Sequence, residues 1–238
     1  MPVKRERCGV DSEMLRFLAL LCTFLIVTCT YELIEKKESL YGFSGTLRLV
    51  KEDIEKYGMS LEYLSLSVYL DKEAYVRVKI TDMTGSRYEI PPDMIPRPDV
   101  TGQNPDKLYD FRVDTSPFAF RVVRVEDQQI IFSFSSNFTF KNQFIQFSTL
   151  IDSNAVTYGL GESTRLNQHL TNGTTYTLWA RDEPAAKRNT NLYGSYPVYW
   201  QMLHGSAHGK ANIVVVCFLP PMTRYCRCHV VQFQRYGH

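Results

Sequence analysis

No cysteine lies between Thr30 and Val216 of this 238-residue chain. Cys8, Cys22 and Cys29 crowd one end, and Cys217, Cys226 and Cys228 the other. A disulfide framework is thereby excluded for the body, which must be held by its apolar core. Charge of one sign is missing as well. Lys+Arg 27 stand against Asp+Glu 25, and the C-terminal cations Lys210, Arg224, Arg227 and Arg235 meet no acid between residues 210 and 238. The rest is mildly acidic and has no basic stripe, which argues against nucleic acid as a partner. Long apolar runs are scarce: one uncharged block, Phe17 to Val27, stands out. It is shorter than the ~20 residues a membrane span needs. Arg16 precedes it and Thr28-Cys29-Thr30 follows, so residues 1–30 read as a signal peptide with a helical apolar centre. Met14, just before the block, is a second candidate start. The expected destination is the secretory pathway, then the extracellular space, cell wall, lysosome or vacuole, with no membrane span in the mature chain.

Most catalytic signatures are absent too. Gly159-x-Gly161 lacks the rest of a dinucleotide fingerprint, and neither G-x-S-x-G nor H-E-x-x-H occurs. His204-x3-His208 has a metal-ligand spacing, but Gly205 and Gly209 oppose the helix it would need. Cys226-Arg-Cys228-His229 matches no zinc or haem spacing. Neither a metal nor an organic cofactor is expected.

What is present is a core. The chain is 44% apolar and 13% aromatic, which rules out wholesale disorder. Leu64, Leu66, Val68 and Leu70 alternate with Ser65, Ser67 and Tyr69, the period of a strand. Val76, Val78 and Ile80 alternate with Arg77 and Lys79, and Asp82–Gly85 turns the chain into Arg87–Ile90. Phe118–Val122, Ile130–Phe134, Phe138–Phe140 and Phe144–Phe147 complete the series. Val50–Tyr57 alone suits a helix. Six prolines between Ile90 and Pro117 mark a long surface connection or an edge. The fold class expected is all-β, an antiparallel β-sandwich with long rim loops.

From Tyr158 onward the sequence is rich in turn residues and reads as loops over the scaffold, where sites usually sit. Glu162, Asp182 and Glu183 lie there near Trp179 and several tyrosines. Two sequons, Asn137-Phe-Thr139 and Asn172-Gly-Thr174, are glycosylation candidates. Asn137 is hemmed by phenylalanines, so Asn172 is the preferred acceptor.

Four ordered motifs carry a resemblance. Tyr158-Gly-Leu-Gly-Glu162, Leu178-Trp-Ala-Arg-Asp182-Glu-Pro184, Asn191-Leu-Tyr-Gly-Ser-Tyr-Pro197-Val-Tyr199 and His204-Gly-Ser-Ala-His208-Gly209 resemble glycoside hydrolase family 31. The nearest likeness is to its α-glucosidase and maltase-glucoamylase branch. The resemblance implies that residues 31–209 form the family's N-terminal, galactose-mutarotase-like β-sandwich. It further implies retaining hydrolysis of terminal α-glucosidic bonds in an intact relative. The family's catalytic aspartates come from a (β/α)8 barrel, and neither of their motifs occurs in these 238 residues. The chain itself is therefore expected to be inactive.

One family role falls on residues that are present. The loop matching Trp179–Pro184 implies substrate binding by Asp182, with Arg181 beside it, to an α-glucoside or oligosaccharide held by the barrel. Residues 210–238 depart from the family pattern and are read as an atypical tail, from truncation or an error in the gene model. A stand-alone secreted carbohydrate-binding module is the rival reading. An immunoglobulin-type adhesion domain is disfavoured by the lack of a Cys…Trp…Cys pattern.

Overall fold

A computed structural model describes residues 30–52, 58–85, 91–94, 96, 99–100, 102, 106–142, 144–152 and 155–203, and the backbone of 211–215 and 228–233. The signal-peptide segment, the Arg87–Ile90 arm and the His204–Gly209 motif lie outside the described residues.

Every described element is a strand. The first sheet runs in the order β1 (Thr30–Ser39), β2 (Gly42–Lys51), β3 (Tyr63–Tyr69) and β4 (Arg77–Asp82), all antiparallel neighbours. A second sheet is built from β5 (Tyr109–Thr115), β6 (Phe118–Arg124) and β7 (Ile130–Phe134). A short pair, β8 (Thr139–Phe140) with β9 (Ile145–Gln146), follows. The two larger sheets meet over one apolar layer. Tyr31, Leu33, Phe43, Leu47, Leu64, Leu66 and Val68 come from the first, Phe118, Phe120 and Phe134 from the second, with Phe138 and Phe140 at the margin. The period-two pattern decides which side chains enter: Leu64, Leu66 and Val68 are fully buried, and their serine neighbours are not. In β6 the alternation breaks, because a register shift between Val122 and Val123 lets both be buried.

Phenylalanines fill most of the gap between the sheets. Phe134 is the hub, with ring centroids 5.0 Å from Phe120, 4.9 Å from Phe138 and 5.4 Å from Phe147. Such pairs add about 0.5–1.5 kcal/mol each beyond their burial. Dispersed aromatic packing of this kind fits a body without disulfides.

The second half has its own core. β10 (Ala155–Ser163) pairs with the long β12 (Asn191–Leu203), and β12 pairs on its other side with β13 (Ala211–Val215). β11 (Thr174–Trp179) pairs with β14 (Cys228–Phe233). Ile151, Leu160, Leu170 and Leu178 are buried together here, with Tyr176 and Tyr199 packed against them.

The architecture corrects the sequence reading in several places. Turn-rich composition from Tyr158 suggested loops, but Tyr158–Glu162 and Asn191–Tyr199 form strands, and 180–190 is an extended loop. The glycines misled because two of them, Gly159 and Gly161, make irregular strand rather than turns. Part of the proline-rich connection, Tyr109–Thr115, is strand β5. Val50 and Lys51 end β2 instead of starting a helix, and 53–57 lie outside the described residues. Within the tail, β13 pairs with β12 and β14 with β11.

Candidate functional site

The loop 180–190 joins β11 to β12, and backbone bonds fix its base. Arg181 N–H donates to the Leu192 carbonyl at 2.7 Å. Thr164 N–H donates to the Thr190 carbonyl at 3.0 Å, and Thr190 N–H returns to Thr164 Oγ1 at 3.2 Å. The Asn191 amide reaches the Thr177 carbonyl at 2.9 Å, tying the strands on either side of the loop.

Three carboxylates were candidates from the sequence, and the structure gives each a different occupation. Glu162 Oε2 accepts the Gly194 N–H at 2.9 Å, so it braces β12. Glu183 is buried and takes Lys187 on one oxygen and Arg181 on the other, each at 2.9 Å. The Lys187 hydrogen bond chiefly holds its carboxyl below the ordinary range, and the Arg181 and Lys187 charges reinforce it. Burial and the neighbouring Asp182 oppose that shift. Asp182 is exposed, and its Oδ1 accepts the Tyr193 hydroxyl at 2.7 Å. That hydrogen bond, and then the Asp182 charge, keep the Tyr193 phenol protonated above the ordinary tyrosine range. Among the described residues nothing else bonds to the Asp182 carboxylate.

Arg181 and Asp182, paired in the sequence reading, therefore point to separate tasks. The Arg181 guanidinium serves Glu183 and lies 5.5 Å from the Trp179 ring centroid. Asp182 alone offers a charged acceptor to solvent. Its partner Tyr193 was not legible as such; the only signal was a tyrosine two residues into the strand that follows the loop.

The Tyr158–Glu162 motif turns out to be architectural. Gly159 has φ +125°, and a Cβ there would stand 2.4 Å from the Val198 carbonyl oxygen. Leu160 is left-handed at φ 59°. Arg165 Nη2 clamps this irregularity by donating to the Gly159 and Leu160 carbonyls at 2.6 and 2.7 Å. Its guanidinium also sits 4.5 Å from the Tyr176 ring centroid. Sequence reasoning missed Arg165.

Tyr193, Tyr196 and Trp200 are exposed, whereas Tyr199 turns inward onto the second core. Burial accordingly raises the Tyr199 phenol well above the ordinary value. Both sequon asparagines, Asn137 and Asn172, are exposed, so exposure does not rank one above the other.

Residues 63–210 match the model of the glycosyl hydrolase 31 N-terminal galactose mutarotase-like domain. The chain belongs to that family. Among curated proteins, alpha-xylosidase 1 of Arabidopsis thaliana is 32% identical over 204 residues, 78% of this chain and 22% of the relative. A probable alpha/beta-glucosidase of Aspergillus fumigatus is 31% identical over 78% of this chain and 21% of its own length. A probable alpha-glucosidase of rice is 32% identical over 62% and 18%. The chain thus spans about a fifth of the glycosyl hydrolase 31 relatives it matches, and the match falls on their N-terminal domain. The Asp182 loop, Tyr193 and the Arg165 clamp all fall inside the matched segment, and most of the tail falls outside it.

Proposed function

We propose that this chain acts as the non-catalytic N-terminal sandwich of a family 31 α-glycosidase. In that role it presents Asp182 to an α-glucoside or α-xyloside whose scissile bond is held by catalytic groups elsewhere. One observation carries the reading: of Glu162, Asp182 and Glu183, Asp182 alone is an exposed carboxylate on the loop, with Tyr193 as its one bonded partner among the described residues. An ionised carboxylate accepts charge-assisted hydrogen bonds from sugar hydroxyls. Secretory routing belongs to the same proposal. It is supported by the apolar block 17–27, which lies outside the described residues, and by two exposed sequon asparagines.

The test is a maltose titration followed by backbone amide NMR, beside a sugar-release assay on maltose and an aryl α-glucoside. The expected result is no turnover, with shifts confined to 180–194 and abolished by Asp182→Ala. Turnover above a buffer blank that disappears in Asp182→Ala would make the chain an enzyme in its own right. Shifts located elsewhere would remove Asp182 from the site.

A second reading, a stand-alone carbohydrate-binding module, draws on β13 and β14, which cover strand edges of β12 and β11. Tight maltose binding by a stable monomer would favour it.

A further inference from the structure

The turn between β3 and β4 encloses a notch lined by Tyr69, Asp71, Tyr75, Arg77 and Val100. Its volume is about 10 Å³, room for one oxygen-sized group. Strand register builds one wall: Tyr69 and Arg77 are cross-strand partners, and the Arg77 guanidinium lies 3.9 Å from the Tyr69 ring centroid. Tyr41 stacks on Tyr69 with ring centroids 5.2 Å apart. The turn itself is pinned by the chain entering β5. Tyr109 Oη donates to the Lys72 and Tyr75 carbonyls, and Leu108 N–H donates to the Glu73 carbonyl at 2.9 Å.

Two groups of opposite hydrogen-bonding character meet in this notch. Asp71 is 5% exposed, with Lys72 Nζ 3.4 Å from its Oδ2, and as a carboxylate it accepts and never donates. Arg77 is half-buried and, apart from the Tyr69 ring, makes no hydrogen bond or ion pair among the described residues. Its N–H groups donate and never accept. A group that fits between such walls must do both. A metal ion is repelled by the Arg77 and Lys72 charges, and an anion by Asp71. A hydroxyl donates to the carboxylate and accepts from the guanidinium, and both bonds are charge-assisted. Tyr75 and Val100 are exposed and give the mouth an apolar rim.

We infer that the notch is a second carbohydrate contact, which takes the exocyclic primary hydroxyl of a hexopyranose while the sugar ring lies on Tyr75 and Val100. Asp71 sits below the rim, so a hydroxyl attached directly to the ring stops at the surface. A hydroxymethyl group adds one carbon of reach. Glucose carries that arm and xylose lacks it, so the notch discriminates between rings that are otherwise alike. The contact is built on the first sheet and uses no residue of β11, β12 or the loop between them. It therefore stands or falls separately from the reading of Asp182.

NMR titrations of the full 238-residue chain with methyl α-D-glucopyranoside and methyl α-D-xylopyranoside test this. The glucoside should shift the amides of 69–77, and the xyloside should bind there about tenfold more weakly. Arg77→Met keeps bulk against Tyr69 but removes the donors, and should weaken the glucoside at 69–77 about tenfold. Asp182→Asn should leave the same shifts unchanged. An equal response of the wild type to the two glycosides overturns the proposal, and that comparison needs no variant. Glucoside that leaves 69–77 unshifted overturns it too, and makes the notch a site for water alone. So does undiminished binding by a folded Arg77→Met, or loss of the 69–77 shifts in Asp182→Asn.

Discussion

Arg165 Nη2 holds the Leu160 carbonyl at 2.7 Å, bracing a strand residue with left-handed backbone geometry. The same nitrogen reaches the Gly159 carbonyl, so one guanidinium stabilises both residues at the irregular point of β10. Removing the charge while keeping some bulk, Arg165→Met, should cost about 2–3 kcal/mol of stability, the scale of lost charge-assisted bonds. Urea unfolding followed by fluorescence measures it. A variant as stable as wild type would show that the bulge holds itself.

Gly159 supplies the complementary case. With φ +125° and the Val198 carbonyl oxygen 2.4 Å from a prospective Cβ, Gly159→Ala meets both a strained backbone and a steric clash with main chain. The expected penalty is about 3 kcal/mol, which lowers the melting temperature by about 10 °C in a domain of this size. Differential scanning calorimetry reads it directly.

Tyr109 gives a pH signature. Its buried hydroxyl donates toward the Lys72 and Tyr75 carbonyls, both at 3.1 Å, and pins the turn between β3 and β4. Burial, aided by the Asp71 charge, pushes its phenol up to about 12. A group with a raised folded pKa contributes stability that is complete below its unfolded value, about 10, and is lost as pH rises through the folded value. Tyr109→Phe should therefore be less stable than wild type at neutral pH, by about 1 kcal/mol. The gap should close between about pH 10 and 12. Parallel alkaline unfolding curves for the two proteins would contradict this.

Glu183 works at the other end of the scale. Its folded value lies below the unfolded one, so its contribution is present above about pH 4 and vanishes as pH falls through the lowered value. Glu183→Gln should speed amide exchange across 181–190 at pH 7 and remove the acid-dependent step in that loop. Exchange mass spectrometry checks both.

The edges of β11 and β12 are covered by β14 and β13. Deleting residues 210–238 uncovers both, beside the exposed Tyr196, Trp200 and Met202. Unpaired strand edges next to apolar surface promote association. The deletion should raise the apparent mass in light scattering relative to the full chain. A monodisperse monomer would show that the tail strands do not protect the domain.

Strand β3 was legible because its burial follows strict alternation, Leu64-Ser65-Leu66-Ser67-Val68, whereas β5 was hidden within the proline-rich connection. The β1 strand was harder, since Glu35, Lys36, Lys37 and Glu38 form a charged run that is solvent-facing on both sides of the strand. Strands β10 and β12 were hidden for another reason. Their glycines allow close backbone approach and a twisted register, features that sequence alone does not separate from turns. At the candidate site, Asp182 was singled out through the resemblance of its neighbours. Tyr193 was not, because a hydrogen bond across eleven residues depends on how the loop folds back on its strand.

The base of the 180–190 loop has an evolutionary consequence. Its anchors are mostly main-chain groups: Arg181 N–H on the Leu192 carbonyl, and Thr164 N–H on the Thr190 carbonyl. Main-chain anchors do not care which side chains lie between them. The segment from Asp182 to Asn189 behaves as a cassette, open to exchange, lengthening or shortening while β11 and β12 stay in place. The make-up of the loop can then drift by rewriting a handful of codons without renegotiating the core.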